Sequence, residues 1–265
     1  MEAKTALVTG ASSGLGWEFC DLAAADGYNL VLVARNPHRL EEAATQLRAE
    51  HGRNVDIIAK DLGEAGAAGA VYDEVKQRGL RISVLINNAG FAYNGYFAKQ
   101  NLAELDSMMQ TNMVALTTLT RLFLRDMLGR REGRILNVAS TAAFQPGPLM
   151  TVYYASKAYV LSFTEALGVE IEGSGVTATV VCPGPVKTGF QARAGLHDSV
   201  MLRSPLVMNA RRVAEIGYRA MMAGKAVCVP GALNALTAFL ALHSPRSLTA
   251  RMAKKIQAGP LRQAS

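Results

Sequence analysis

Short apolar runs recur along the chain at 5–9, 29–34, 55–59, 82–87, 134–139, 176–181 and 226–229, separated by longer amphipathic stretches. Brief apolar runs bounded by turn residues read as buried strands, and strands alternating with helical segments imply βαβ units in a parallel sheet. The pattern predicts an α/β fold over residues 1–265: one domain, with a Rossmann-type doubly wound parallel sheet of seven strands and helices on both faces. Right-handed crossovers would gather the ends of the first, fourth and fifth strands at one rim. Residues 10–16, 88–90 and 140 are expected there.

Two segments depart from the pattern. Residues 184–210 lack periodicity and mix Pro185, Gly189, Gly195 and Pro205 with Phe190, Leu196, Met201, Leu202, Leu206 and Met208. A loop this long inside a domain is usually functional, and its methionines and leucines suit an adaptable apolar wall. The C-terminal extension, 232–265, opens with the apolar run 232–242, which is far below the ~20 residues a spanning helix needs. Ser244 and Pro245 then read as an N-cap and first-turn pair. Leu248, Met252 and Ile256 follow at four-residue intervals among Arg251, Lys254 and Lys255. This is a short basic amphipathic helix, expected to dock on the body or on a neighbouring subunit in preference to a membrane surface.

Charge is uneven. The formal net charge is +7, yet residues 203–265 hold ten Lys/Arg against Glu215 alone. Such a segment favours anionic partners or forms a solvated face. Cys20, Cys182 and Cys228 are odd in number and widely spaced, as expected of small core residues in a reducing, cytoplasmic setting. The first strand begins too early to leave room for a cleavable leader. None of His38, His51, His197 or His243 has the sequence neighbours of a metal site or a nucleophilic triad, so no metal is expected. Basic and aromatic residues are not interleaved in the manner that binds single-stranded nucleic acid, and that partner is disfavoured. Met109, Met113, Leu116, Leu119 and Leu122 on one helical stretch, and Val160, Phe163 and Leu167 on another, exceed a single apolar face. Surplus apolar surface marks subunit contact, so a homodimer or homotetramer is expected.

The chemistry concentrates in a few places. Tyr153 and Lys157 stand four apart and share a helix face, so the ammonium is expected to lower the phenol's pKa from its free value near ~10. Ser140 lies thirteen residues upstream of the tyrosine. Near the N-terminus, the strand-like Ala6, Leu7 and Val8 lead into Gly10, Ser12, Ser13, Gly14, Leu15 and Gly16 and then a helical pattern. Strand, glycine turn and helix start form a cradle for a pyrophosphate. At the end of the second strand Ala34 occupies the position where NAD enzymes of this fold place an acid, and Arg35 follows. A guanidinium there suits a ribose 2′-phosphate, so NADP(H) is expected over NAD(H).

The glycine spacing, Asn87 to Gly90, Ser140, the Tyr153/Lys157 pair and Pro183 to Thr188 together resemble the short-chain dehydrogenase/reductase family over roughly the first 190 residues. The resemblance implies an NADP(H)-dependent oxidoreductase interconverting a ketone or aldehyde and an alcohol, with Asn112, Ser140, Tyr153 and Lys157 as a catalytic tetrad. In it Tyr153 exchanges the proton, Ser140 holds the carbonyl oxygen, Lys157 also bonds the nicotinamide ribose, and Asn112 holds a water. It implies adenosine contacts from Asp61, Leu62, Asn88, Ala89 and Gly90. It further implies a loop over the nicotinamide from Pro183, Gly184, Val186 and Thr188, and a substrate lid at 184–210. Substrate contacts are expected from Ser140, Tyr153, Phe144 and Phe190, and Tyr154 reads as packing or pocket wall. The substrate would be a small-molecule or acyl-carrier-linked carbonyl compound. The other function class is a cofactor-sensing binding or regulatory protein with little turnover; such proteins usually lack a tetrad member, and none is missing here.

Overall fold

The computed structural model describes residues 4–187 and 206–257. Strands β1 (Thr5–Thr9), β2 (Asn29–Ala34), β3 (Val55–Ala59), β4 (Ile82–Asn87), β5 (Gly133–Val138), β6 (Val176–Val181) and β9 (Val227–Cys228) form one sheet in the order β3-β2-β1-β4-β5-β6-β9. Every pairing in it is parallel. The seven expected strands are all present; the fifth begins one residue earlier than its apolar run and the last is trimmed to two residues. A separate parallel pair, β7 (Val186–Lys187) with β8 (Met208–Asn209), was not foreseen, because two residues are too few to leave a pattern.

Alternation along each strand divides the core into two layers. Ala6, Val8, Leu30, Leu32, Leu136 and Val138 face helices α1 (Gly14–Ala25), α2 (Pro37–His51) and α7 (Ala210–Met222). Leu7, Val31, Val33, Leu85, Ile135 and Ala178 face α3 (Ala67–Gln77), α5 (Leu116–Arg130) and α6 (Thr151–Glu170). Burying one such Leu or Ile contributes roughly 1.5–3 kcal/mol, and smaller alanines and valines fill the space between them in both layers. A polar tie crosses the second layer: Asn87 Nδ2 donates to Asn137 Oδ1 (2.9 Å) and Thr120 Oγ1 (3.0 Å), and Asn137 Nδ2 donates to Thr164 Oγ1 (2.9 Å). It locks β4 and β5 in register with α5 and α6 just below the rim.

The surplus apolar residues on α5 and α6 resolve differently from the expectation. Leu116, Leu119, Val160 and Leu167 are buried core residues; the large apolar side chains left outside are Val114, Leu128, Tyr159 and Val169. Between α4 (Leu102–Met109) and α5 the chain makes one π-helical turn, Gln110–Ala115. Its extra residue rotates the face of α5 that meets the core.

The C-terminal extension folds into α8 (Ala232–His243) and α9 (Arg246–Gln257). No described helix is long and apolar enough to cross a membrane. Helix α9 does dock, but through Thr249, Ala253 and Gln257, while the Leu248, Met252 and Ile256 stripe faces outward. Ser244 does not cap it: the Ser244 hydroxyl donates back to the Leu240 carbonyl (2.7 Å). Of the segment 184–210, residues 188–205 lie outside the described residues, so the lid is represented by its two ends.

Candidate active site

The cradle forms where strand order reverses between β1 and β4. Gly10 (φ +66°) and Gly14 (φ +56°) take left-handed backbone that glycine adopts freely. A Cβ on Gly16 would collide with the Gly10 carbonyl oxygen, so only glycine lets α1 seat this close to the turn. Asn88 Nδ2 donates to the Thr9 carbonyl (2.9 Å), and Thr9 Oγ1 accepts from the N–H groups of Asn88 and Ala89 (3.0 Å each). Ser13 is the N-cap of α1, yet its side chain makes no capping bond, leaving the first N–H groups of the helix for an anion. Leu15 packs on the core from the turn.

Ser12 and Ser13 border a cavity of about 310 Å³ whose other walls are Trp17, Arg39, Glu42, Ala43 and Gln46. Arg35, half-exposed at the end of β2, holds Nη1 3.5 Å from Asp61 Oδ2. Asp61 Oδ1 accepts from Gly63 N (2.9 Å), and Leu62 beside it is buried. Arg39 is a second guanidinium that the sequence reading missed. Its signal was the helix start: Asn36 Oδ1 accepts from Arg39 N (3.0 Å), fixing Arg39 four residues after Arg35 in the first turn of α2.

The tetrad residues meet beyond β4 and β5. Asn112 sits in the π-helical turn, buried, with Oδ1 accepting from Phe91 N (3.1 Å) and Nδ2 donating to the Phe91 carbonyl (3.0 Å) and Ser156 Oγ (3.1 Å). Such turns recur at functional sites, and no periodicity reveals them. Ser156, also missed, donates to the Tyr153 carbonyl (2.7 Å) and so joins Asn112 to α6. Gly90 fills the gap: a Cβ there would lie 3.1 Å from Asn112 Oδ1 and 3.4 Å from Lys157 Nζ. Lys157 Nζ donates to the Val138 carbonyl (2.8 Å) and stands 5.8 Å from the Tyr153 ring centroid. The Tyr153 phenol hydrogen-bonds Ser140. Ser140 Oγ accepts from Ala142 N (3.1 Å) and donates to the Pro183 carbonyl (3.4 Å).

Electrostatics correct one expectation. Burial pushes the Tyr153 phenol up, the Ser140 hydrogen bond only partly opposing it, and burial lowers the Lys157 ammonium to about 8. Lys157 is aimed at a backbone carbonyl, and burial, aided by the neighbouring Tyr154, sets the direction of the phenol's shift. Burial thus favours the neutral phenol at Tyr153, against the lowering expected from the sequence. Burial also raises the Cys182 thiol to about 12, which removes it as a nucleophile.

On the carbonyl side, Phe144 is partly buried and Leu149 is buried with φ +70°, a costly conformation for a branched side chain. The Leu149 carbonyl accepts from Gly95 N (2.8 Å), which pins the strained residue at the entry to α6. Tyr154 is a buried wall: its ring leaves no room for a Cβ on Gly147, and its hydroxyl accepts from Gln257 Nε2. Gly184 packs against the Asn234 amide, and Val186 is buried in β7. Thr188 and Phe190 lie outside the described residues. One group of metal-ligand type was not anticipated: Asp21, Glu50 and His51 converge within 4.8 Å. Within it Asp21 Oδ1 lies 2.7 Å from His51 Nε2, Asp21 Oδ2 accepts from Arg211 Nη1, and Glu50 Oε1 accepts from Gln46 Nε2.

Comparison with known proteins places the chain in a family. Residues 4–198 match the family model described as short chain dehydrogenase. The ketoacyl reductase HetN of Nostoc sp. is 39% identical over 188 residues, covering 71% of this chain and 65% of that protein. The very-long-chain 3-oxoacyl-CoA reductase of Anas platyrhynchos is 34% identical over 189 residues, covering 69% and 60%. The chain thus spans less than two thirds of these curated relatives' own length. Among solved structures, a short-chain dehydrogenase from Sphingobium yanoikuyae in complex with NADPH superposes with a TM-score of 0.81 at 30% identity, covering 99% of this chain and 98% of that one.

The lowered Lys157 pKa has a measurable sign. Between its folded value of about 8 and the ordinary 10.5, the unfolded chain holds a proton that the folded chain has released, so this residue makes stability rise with pH across that window. Unfolding free energies from pH 7.5 to 10.5 for the wild type and Lys157→Met read it by difference. The wild type should gain on the variant as pH rises; a constant difference contradicts the burial effect.

Proposed function

The chain belongs to the short-chain dehydrogenase family, and we propose that within it this protein is an NADP(H)-dependent reductase of ketones. The observation that carries the reading is the Ser140–Tyr153 hydrogen bond inside a buried site, with Lys157 beside the phenol ring. The cradle that a Cβ would fill at Gly16 fits a pyrophosphate, with Gly10, Ser12, Gly14 and the start of α1 around it. Arg35, Arg39 and Ser13 would hold a ribose 2′-phosphate. Arg35 gives up little to do so, since an exposed pair such as Arg35–Asp61 is worth about 0–1 kcal/mol. Asp61, Leu62, Asn88, Ala89 and Gly90 would line the adenosine side, and Pro183, Gly184, Val186 and Thr188 the nicotinamide side.

When bound, the nicotinamide supplies a hydride. As negative charge builds on the carbonyl oxygen, Ser140 steadies it and Tyr153 donates the proton. Lys157 would stabilise the phenolate left behind and hold the nicotinamide ribose, while Asn112, bonded to Phe91 and Ser156, keeps Gly90 against Lys157. Phe144, Leu149 and Tyr154 form an apolar wall that suits ketoacyl chains or other apolar ketones, in keeping with the reductases to which the chain is similar. The three free cysteines fit a cytoplasmic setting.

We also assign a second copy of the chain to the outer face of α5 and α6. Tyr159 bridges the two helices, its hydroxyl 2.8 Å from Thr117 Oγ1 and its ring stacked on Phe163, and Val114 and Val169 extend the face.

Tyr153→Phe removes the proton donor and keeps the ring, so turnover of a carbonyl panel with NADPH should fall about 10²–10⁴-fold with NADPH affinity retained. A variant keeping more than about a tenth of wild-type turnover contradicts the role; a wild type that binds NADPH and reduces nothing is a cofactor sensor. Arg35→Asp should invert the NADPH-to-NADH affinity ratio in fluorescence titrations, and an unchanged ratio sinks the phosphate assignment. Sedimentation equilibrium should give a dimer or tetramer of the 28.2 kDa chain. A purely monomeric species at micromolar concentration removes the second copy.

A further inference from the structure

Helix α8 carries no Lys, Arg, Asp or Glu in its twelve residues, yet only Asn234 and Ala238 on it are buried. Leu233, Leu236, Phe239 and Leu240 occupy the arc opposite those two at 100° per residue, and Phe239 is 58% exposed. Water-facing helices put charge on that arc. Helix α9 has three arcs: the docked Thr249, Ala253 and Gln257; the exposed apolar Leu248, Met252 and Ile256; and then Arg251, Lys254 and Lys255. Among the described residues, eight of the sixteen exposed large hydrophobic side chains fall between Leu233 and Ile256. Single exposed leucines need no explanation, but a concentration of this kind marks a contact surface.

We propose that α8 and α9 dock this chain on an anionic lipid surface. Charge selects the occupant. Arg246, Arg251, Lys254 and Lys255 are exposed and form no ion pair among the described residues, and no acid occurs after Glu215 in the sequence. A two-fold contact between copies through this face would set the same basic arc against itself. An anionic bilayer offers hydrocarbon to the Leu and Phe side chains and phosphate to the Lys and Arg heads. Helices of twelve residues lie in that interface, since a span needs about 20.

The face is anchored to the site. Asn234 Nδ2 donates to the carbonyls of Leu206 (3.2 Å) and Pro230 (3.1 Å), and its amide packs on Gly184; Gln257 bonds Tyr154 from α9. An apolar ketone dissolved in the lipid would thus meet the site at its rim. That last consequence rests on the proposed reaction, whereas the docking does not.

The test is flotation with phosphatidylcholine vesicles, with and without phosphatidylglycerol. The full chain should float with the anionic vesicles and lose them as salt rises. Leu236→Ser/Phe239→Ser/Leu240→Ser should lower binding to anionic vesicles at least tenfold. Arg251→Gln/Lys254→Gln/Lys255→Gln should lower it by about a hundredfold, since each basic side chain near an anionic surface contributes roughly fivefold. Both variants avoid the site, so unchanged turnover of a water-soluble ketone, or an unchanged circular dichroism spectrum if no turnover exists, certifies their fold. Wild-type protein that fails to float, or floating that ignores both sets of substitutions, overturns the proposal. So does a wild type that ignores vesicles while the serine variant sediments as a smaller oligomer, which gives the face to a second copy.

Discussion

Everything at the rim hangs on the exchange between Thr9 and Asn88. Where β1 and β4 part company, neighbouring backbone groups lose their ladder partners, and these two side chains supply replacements: the amide to the carbonyls of Thr9 and Gly10, the hydroxyl to two backbone N–H groups. A buried polar group left unpaired costs about 1–3 kcal/mol, so losing either side chain would loosen several groups together. The position of Gly10 sets how closely Gly16 and α1 approach, and the path after Asn88 sets where Gly90 meets Asn112 and Lys157. Cradle and tetrad are two ends of one stitched seam.

Burial gives that seam its chemical character. A lysine and a tyrosine four apart on an exposed helix would behave as ordinary side chains. On α6, packed against the sheet, desolvation discourages the charge on each, raising the phenol and lowering the ammonium. The neutral form of both side chains is favoured, and the cost of the buried lysine is offset by the Val138 carbonyl it reaches. The Ser140 hydroxyl, anchored between Ala142 N and the Pro183 carbonyl, is preorganised in the same sense.

Much of this was legible in the sequence because strands buried on both faces leave uninterrupted apolar runs. All seven strands of the sheet could be read that way, and glycine spacing located the cradle. What escaped has physical reasons. The π-helical turn alters the register by a single residue without altering composition, so the placement of Asn112 and the core role of Leu116 and Leu119 were hidden together. Arg39 and Ser156 are ordinary polar residues on helices until the fold sets them beside Ser13 and Asn112. Apolar periodicity in α9 pointed to the wrong docked face, because small and polar residues, Thr249, Ala253 and Gln257, make the closer contact.

The bond from Gln257 to Tyr154 ties the wall of the site to the last described turn of the chain, 103 residues away. During synthesis the sheet from β1 to β6 can assemble while the C-terminal helices are still in the ribosome. The hydroxyl of Tyr154, next to Tyr153, waits for residue 257, so a nascent chain completes its scaffold well before it completes its pocket.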